Sequence, residues 1–136
     1  YISMPITLLS LFYKGKVDEA LKTLKATYAS IPYHEEVLRG ENTVHAVFLA
    51  VMRIMGADII GEKVTNIGRV DAVLTCPGDI YIIEFKFNQS AEKAIEQIKE
   101  KKYYEGYLGT NKRIHLLGIN FSTEEKNILE WKNEIL

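Results

Sequence analysis

Arg69 to Phe87, RVDAVLTCPGDIYIIEFKF, holds two apolar runs separated by a Pro-Gly turn. The second run, Ile80-Tyr-Ile-Ile-Glu-Phe-Lys-Phe87, is rich in β-branched and aromatic side chains and lies between Pro77-Gly78-Asp79 and Asn88, which is a strand signature. Successive side chains alternate faces, so Ile80, Ile82, Glu84 and Lys86 share one face and Tyr81, Ile83, Phe85 and Phe87 the other. Both faces begin apolar, as in a central strand. The first run, Arg69 to Thr75, alternates in the same way, with Val70, Ala72 and Leu74 opposite Asp71 and Val73. A loop centred between Pro77 and Gly78 sets Cys76 against Asp79 and Asp71 across from Glu84, about 4.5 to 5.5 Å apart at Cβ. Pro-Gly suits a type II turn better than the primed hairpin turns, so a longer loop or a bulge is the competing arrangement.

Two carboxylates this close repel by roughly 4 kcal/mol at an effective dielectric near 20 and need a cation. A divalent metal, Mg²⁺ or Mn²⁺, is bound by such oxygen ligands: Asp71, Glu84, a backbone carbonyl and waters. Lys86 then stands ready to hold an anionic substrate or a nucleophilic water. The same residue types equally make a sheet-end salt bridge between Lys86 and Glu84 or Asp71.

Gly68-Arg-Val-Asp71, Glu84-Phe-Lys86 and Gln97 within Ala94-Ile-Glu-Gln-Ile-Lys-Glu-Lys-Lys-Tyr103 resemble the PD-(D/E)XK nuclease superfamily. The chain looks most like the branch found as a C-terminal domain behind a predicted AAA-type ATPase domain in bacterial proteins. The likeness takes in the Ile31-Pro32-Tyr33 helix entry and a final Gly118-Ile-Asn-Phe121 strand. Val70 stands where the family's proline would, which removes no ligand. The resemblance implies a metal held by Asp71, Glu84 and the Phe85 carbonyl, with Lys86 and Gln97 as further catalytic residues. It also implies DNA as substrate, a 3′-hydroxyl leaving group, and an AAA-type ATPase domain in the same full-length chain. Without it, Gln97 reads as a surface residue on the flank of an amphipathic helix.

The chain has 136 residues, 47% of them hydrophobic, enough for one domain with a core. One cysteine excludes an internal disulfide and a cysteine zinc site, and fits a reducing cytoplasm. No apolar run approaches the ~20 residues that span a bilayer, and the start lacks the features of a signal peptide, so a cytoplasmic location without membrane contact is expected. The first residue is Tyr1, which suggests a fragment of a longer protein. No Gly-Lys-Ser/Thr phosphate loop is present. The net charge of −1 carries no nucleic-acid signature, so any such surface is local. The richest basic stretch runs from Lys93 through Lys99, Lys101 and Lys102 to Lys112 and Arg113, interleaved with Tyr103, Tyr104 and Tyr107. Lys101, Lys102 and Tyr103 suit phosphate contact and stacking. The competing reading is a solvated helix face balanced by Glu92, Glu96 and Glu100.

Residues 3–13 and 18–29 read as short amphipathic helices, the second capped by Asp18. Its stripe of Ala20, Leu21, Leu24 and Tyr28 must cover either the sheet or an upstream domain. Pro32 opens a longer helix, weakened at Gly40 and ended by Gly56, on which Glu41, Val44, His45, Phe48, Met52 and Met55 share a stripe. Glu41 and His45 are either auxiliary groups of the metal site or, respectively, a first-turn acid and a core histidine. Residues 58–65 form a strand whose turn, Asn66-Ile-Gly68, places Glu62 across from Asp71 if symmetric, as a third acid or a solvent-facing edge residue. A helix follows from Ser90 to Tyr107 with Ala91, Ala94, Ile95 and Ile98 buried, then a strand over 113–121; in the last segment Leu129, Trp131 and Ile135 alternate as in an edge strand while Ile128, Trp131 and Ile135 also fit helical spacing, and the resemblance favours the strand. The whole is an α/β domain over 1–136: a helical preface (1–30) and a restriction-endonuclease-like core (33–136) with a central mixed β-sheet flanked by helices. A catalytically silent interaction or nucleic-acid-binding domain on an AAA-type ATPase is the alternative function.

Overall fold

The structure, a computed structural model, describes residues 3–30, 41–65 and 68–136, with backbone alone for 3–7, 41–43 and 64. Helices α1 (Ser3–Tyr13), α2 (Val17–Ser30) and α3 (Glu41–Ile54) come first. Strands β1 (Asp58–Thr65), β2 (Gly68–Thr75) and β3 (Asp79–Phe87), helix α4 (Ala91–Lys101), and strands β4 (Arg113–Ser122) and β5 (Asn127–Ile135) follow. The expected helix entry at Ile31-Pro32-Tyr33, the weak point at Gly40 and the turn residues Asn66 and Ile67 lie outside the described residues. No helix among the described residues is long and apolar enough to cross a membrane.

The strands pair in sequence order, β1-β2-β3-β4-β5. Among the described residues only β3 and β4 run parallel, because α4 carries the chain back across one face between them. This is the mixed sheet with flanking helices expected of a restriction-endonuclease-like α/β fold. Buried residues occupy β3 from Asp79 to Phe85 and β4 from Ile114 to Ser122, as in strands covered on both faces.

The two faces bury separate clusters. Tyr81, Ile83 and Phe85 join Ala72, Leu74, Leu117 and Phe121 beneath α1, α2 and α3, whereas Ile80, Ile82 and Val73 join Leu116, Ile95 and Ile98 beneath α4. The preface therefore covers the sheet: Phe12, Leu21, Leu24 and Tyr28 all belong to the first cluster. Tyr81 donates its hydroxyl to the Phe12 carbonyl at 2.7 Å, and the ring of Tyr28 meets that of Phe121 edge-on at 5.3 Å.

Three local expectations need correction. Asp18 lies inside the first turn of α2 and accepts from Trp131 Nε1 at 2.9 Å, tying the preface to β5, so it is not the cap. Helix α4 stops at Lys101 because Lys102 takes a left-handed backbone (φ 52°) and returns its N–H to Ile98 and Lys99. A 3-10 turn, Glu105–Tyr107, replaces the remainder. Val70, placed by alternation with Ala72 and Leu74, packs instead with Val73 and Tyr103 on the α4 side.

Gly118 sets the distance of α4 from the sheet. A Cβ there would lie 2.6 Å from the Ala91 carbonyl and 2.8 Å from the Ala94 Cβ. Gly118 pairs with Glu84, so the helix comes closest beside that acid. Gly118→Ala is expected to lower unfolding stability by about 1–3 kcal/mol, seen as a lower urea midpoint with an unchanged slope.

Candidate functional site

The β2–β3 hairpin keeps a two-residue loop, with Cys76 N–H bonded to the Asp79 carbonyl at 2.8 Å. Register follows from it: Thr75 faces Ile80, Leu74 faces Tyr81, Val73 faces Ile82 and Ala72 faces Ile83. One step further Asp71 meets Glu84, and the main-chain ladder ends there. Asp71 N–H donates to Glu84 Oε1 at 3.1 Å, and Phe85 N–H donates to Asp71 Oδ2 at 2.8 Å. Each carboxylate thus accepts the strand N–H that a ladder partner would otherwise take, which fixes both side chains without a rotamer to spare.

The other side of β2 opens at the same residue. Gly61 pairs with Ala72 and Lys63 with Val70, but Glu62 between them is left-handed (φ 50°). The Asp71 carbonyl accepts from His45 Nε2 at 2.9 Å, so that nitrogen carries the proton. His45 therefore holds the backbone of Asp71. Glu62 is exposed and lines the same cavity. The Glu41 side chain lies outside the described residues.

Gln97, brought in by α4, joins the remaining groups. Its Nε2 donates to Glu84 Oε2 at 2.6 Å, and its Oε1 accepts from Lys86 Nζ at 2.5 Å. Among the described residues no salt bridge joins Lys86 to either acid; the ammonium reaches Glu84 through the amide. Tyr103, whose phenol is raised mainly by burial with Gln97 bonding to it in the opposite sense, is only 5% exposed. Its ring belongs to the α4-side core and offers no face to a base, whereas Lys101 and Lys102 are exposed.

Asp71, Glu84, Lys86 and Gln97, with His45 and Glu62, line a cavity of about 260 Å³ together with Phe85, Phe87 and Gln89. Gln89 carried no sequence signal. It lies between Asn88, which is left-handed at φ 58°, and the α4 cap Ser90, and its N–H bonds Asn120 Oδ1 at 3.0 Å. Burial pushes Glu84 up to about 8, the Asp71 charge adding to it, while the Asp71 N–H, Lys86 and Gln97 pull back. Burial also raises Asp71, against the Phe85 N–H, His45 and Lys86.

Among the described residues no group of three or more His, Cys, Asp or Glu side chains forms a metal cage. The donors present are two hard carboxylates side by side, which fits a cation that keeps several of its own waters, as Mg²⁺ does, and does not fit a structural zinc.

Residues 39–131 match the PD-(D/E)XK nuclease superfamily, whose members typically use divalent metals. Over 123 residues the chain is 32% identical to an uncharacterized protein in the vnfD 5′ region of Azotobacter chroococcum mcd 1, covering 85% of this chain and 24% of that protein. The chain thus spans about a quarter of the length of the curated relative it matches. No solved structure matches significantly.

A carboxyl raised from 4.5 to about 8 contributes stability in full below its unfolded value and loses it as pH rises toward 8. With chelator present, stability is expected to fall between those limits by at most about 1.4 kcal/mol per pH unit for this one proton. Glu84→Gln should flatten that slope in denaturation curves taken across pH; an unchanged slope would contradict the assignment.

Proposed function

This chain belongs to the PD-(D/E)XK nuclease superfamily, and we propose that it hydrolyses phosphodiester bonds of DNA with Mg²⁺ or Mn²⁺. Asp71, Glu84 and the Phe85 carbonyl would hold the metal. The observation that carries this reading is the pair of acids, each fixed by the other strand's N–H in a cavity that also contains Lys86 and Gln97. The metal supplies Lewis acidity toward a nonbridging phosphate oxygen and lowers the pKa of water.

The chain's own residues perform the remaining tasks. Asp71 and Glu84 present oxygens in a fixed geometry that costs no reorganisation. The Lys86 ammonium positions the attacking water and offsets the negative charge that grows on the phosphate, while the water's proton passes through solvent to the departing 3′ oxygen. Gln97 orients Lys86 through Oε1 while its Nε2 holds Glu84, so the water-handling group and the metal-holding group move as one unit. Water attacks phosphorus, the bond to the 3′ oxygen breaks, and a 5′-phosphate and a 3′-hydroxyl result.

The family likeness also supports a cytoplasmic bacterial protein in which an AAA-type ATPase domain precedes this one; the much greater length of the curated relative is compatible with such a neighbour. A second reading is a non-cleaving nucleic-acid-binding or interaction domain, favoured by the net charge of −1.

Lys86→Ala should reduce cleavage of single-stranded, duplex and branched DNA by about 10² or more. It should leave the Mg²⁺-induced rise in melting temperature intact. Wild-type rates in that variant would remove Lys86 from the mechanism. A Mg²⁺ response with no cleavage by the wild-type chain would favour the second reading.

A further inference from the structure

A second cavity of about 390 Å³ lies along α4 and shares Lys86, Gln89 and Gln97 with the first, so the two adjoin. Lys93, Gln97 and Lys101 stand at successive i, i+4 positions on that helix and all line it. The helical rise places them about 6 Å apart in one row, with Gln97, which bonds Glu84, at its centre and a lysine on either side.

The lysines around α4 divide into two sets. On the β5 side, Lys99 pairs with Glu134 at 2.9 Å and Lys132 pairs with Glu92, so those charges are already neutralised. Lys93 and Lys101 are exposed, face the groove and make no ion pair among the described residues. Glu96 and Glu100 border the same groove, so the row is one cation wide with acids beside it. A duplex would bring a second backbone within reach of those acids, and among the described residues lining the two cavities there is no second row of cations to receive it. A single strand needs only the one row, whose step is comparable to the spacing of successive phosphates along an extended polynucleotide.

We propose that the α4 groove is a track for one DNA strand, in which Lys93 and Lys101 bind phosphates flanking the one that is cut and Gln89 lies at the junction with the metal cavity. The substrate is therefore single-stranded DNA, or a strand separated from its complement. This rests on the nuclease reading for the role of the first cavity, but the binding itself does not require cleavage.

The test is equilibrium binding of the chain, in chelator, to a labelled oligothymidylate and to a duplex of equal length across a salt series. Single strands should bind at least tenfold more tightly than duplex. Lys93→Ala/Lys101→Ala should weaken single-strand binding about tenfold and reduce the salt slope by about 1.4, two phosphates at 0.7 each. Lys99→Ala/Lys132→Ala should stay within twofold of wild type. Equal or tighter duplex binding, no binding to either, or equal losses in the two double variants would each overturn the track. Cleavage with Mg²⁺ is scored separately. The expected binding without cleavage leaves the track standing and removes the nuclease reading, and cleavage with unaltered affinity in Lys93→Ala/Lys101→Ala does the reverse.

Discussion

Two N–H groups from neighbouring strands, Asp71's to Glu84 and Phe85's to Asp71, are the contacts on which the site depends. In a continuous antiparallel ladder those donors would meet carbonyls and the carboxylates would be left to solvent. Here the ladder stops and the side chains enter it, so the acids become structural members of the sheet as well as its reactive edge. That explains how two like charges stay adjacent: each has a partial positive charge aimed at it by the backbone, although burial still dominates and keeps Glu84 raised.

Packing on both faces holds this opening in place. From one side His45 takes the Asp71 carbonyl, and its helix is seated by Val44, Phe48 and Met52. From the other, Gly118 lets α4 approach beside Glu84, which brings Gln97 within bonding distance. The preface contributes to the first layer as much as α3 does. It precedes the family match at residues 39–131, yet Phe12, Leu21 and Tyr28 sit in the same cluster as Phe85.

Strand order and register were legible because both follow from local rules. Pro77-Gly78 centres the loop, and period-two alternation then assigns every partner down to Ala72 and Ile83. Alternation fails at Val70, one residue past Asp71, because the ladder has opened there and Glu62 has turned left-handed; neither event is written in the apolar pattern. Helical phase gave the direction of His45 and Gln97 but not their distance from the acids. For Gln97 that distance is set by Gly118, and an interior strand glycine is the signal that marks such an approach. Tyr103 reads as a surface aromatic among lysines, but the left-handed Lys102 turns the chain and drives the ring inward.

A comparison within one strand shows why the Asp71–Glu84 pair reads as a site. β3 buries two acids, Asp79 at 3% exposure and Glu84 at 4%. Asp79 is matched from within the chain, by the Arg113 guanidinium (Nε at 2.9 Å) and by a hydrogen bond with His115 Nε2 at 2.7 Å, the histidine being held in turn by Asn133. Such a cluster satisfies its own charge and needs nothing more. Glu84 has a second carboxylate for its nearest charged neighbour, reaches its lysine only through an amide, and opens on a cavity. Burial and the neighbouring Asp71 carboxylate raise Glu84, which lessens the repulsion between the two acids without removing its cause. Burial alone is common to both ends of the strand; what distinguishes the Glu84 end is that, among the described residues, no cation pairs with its acid directly.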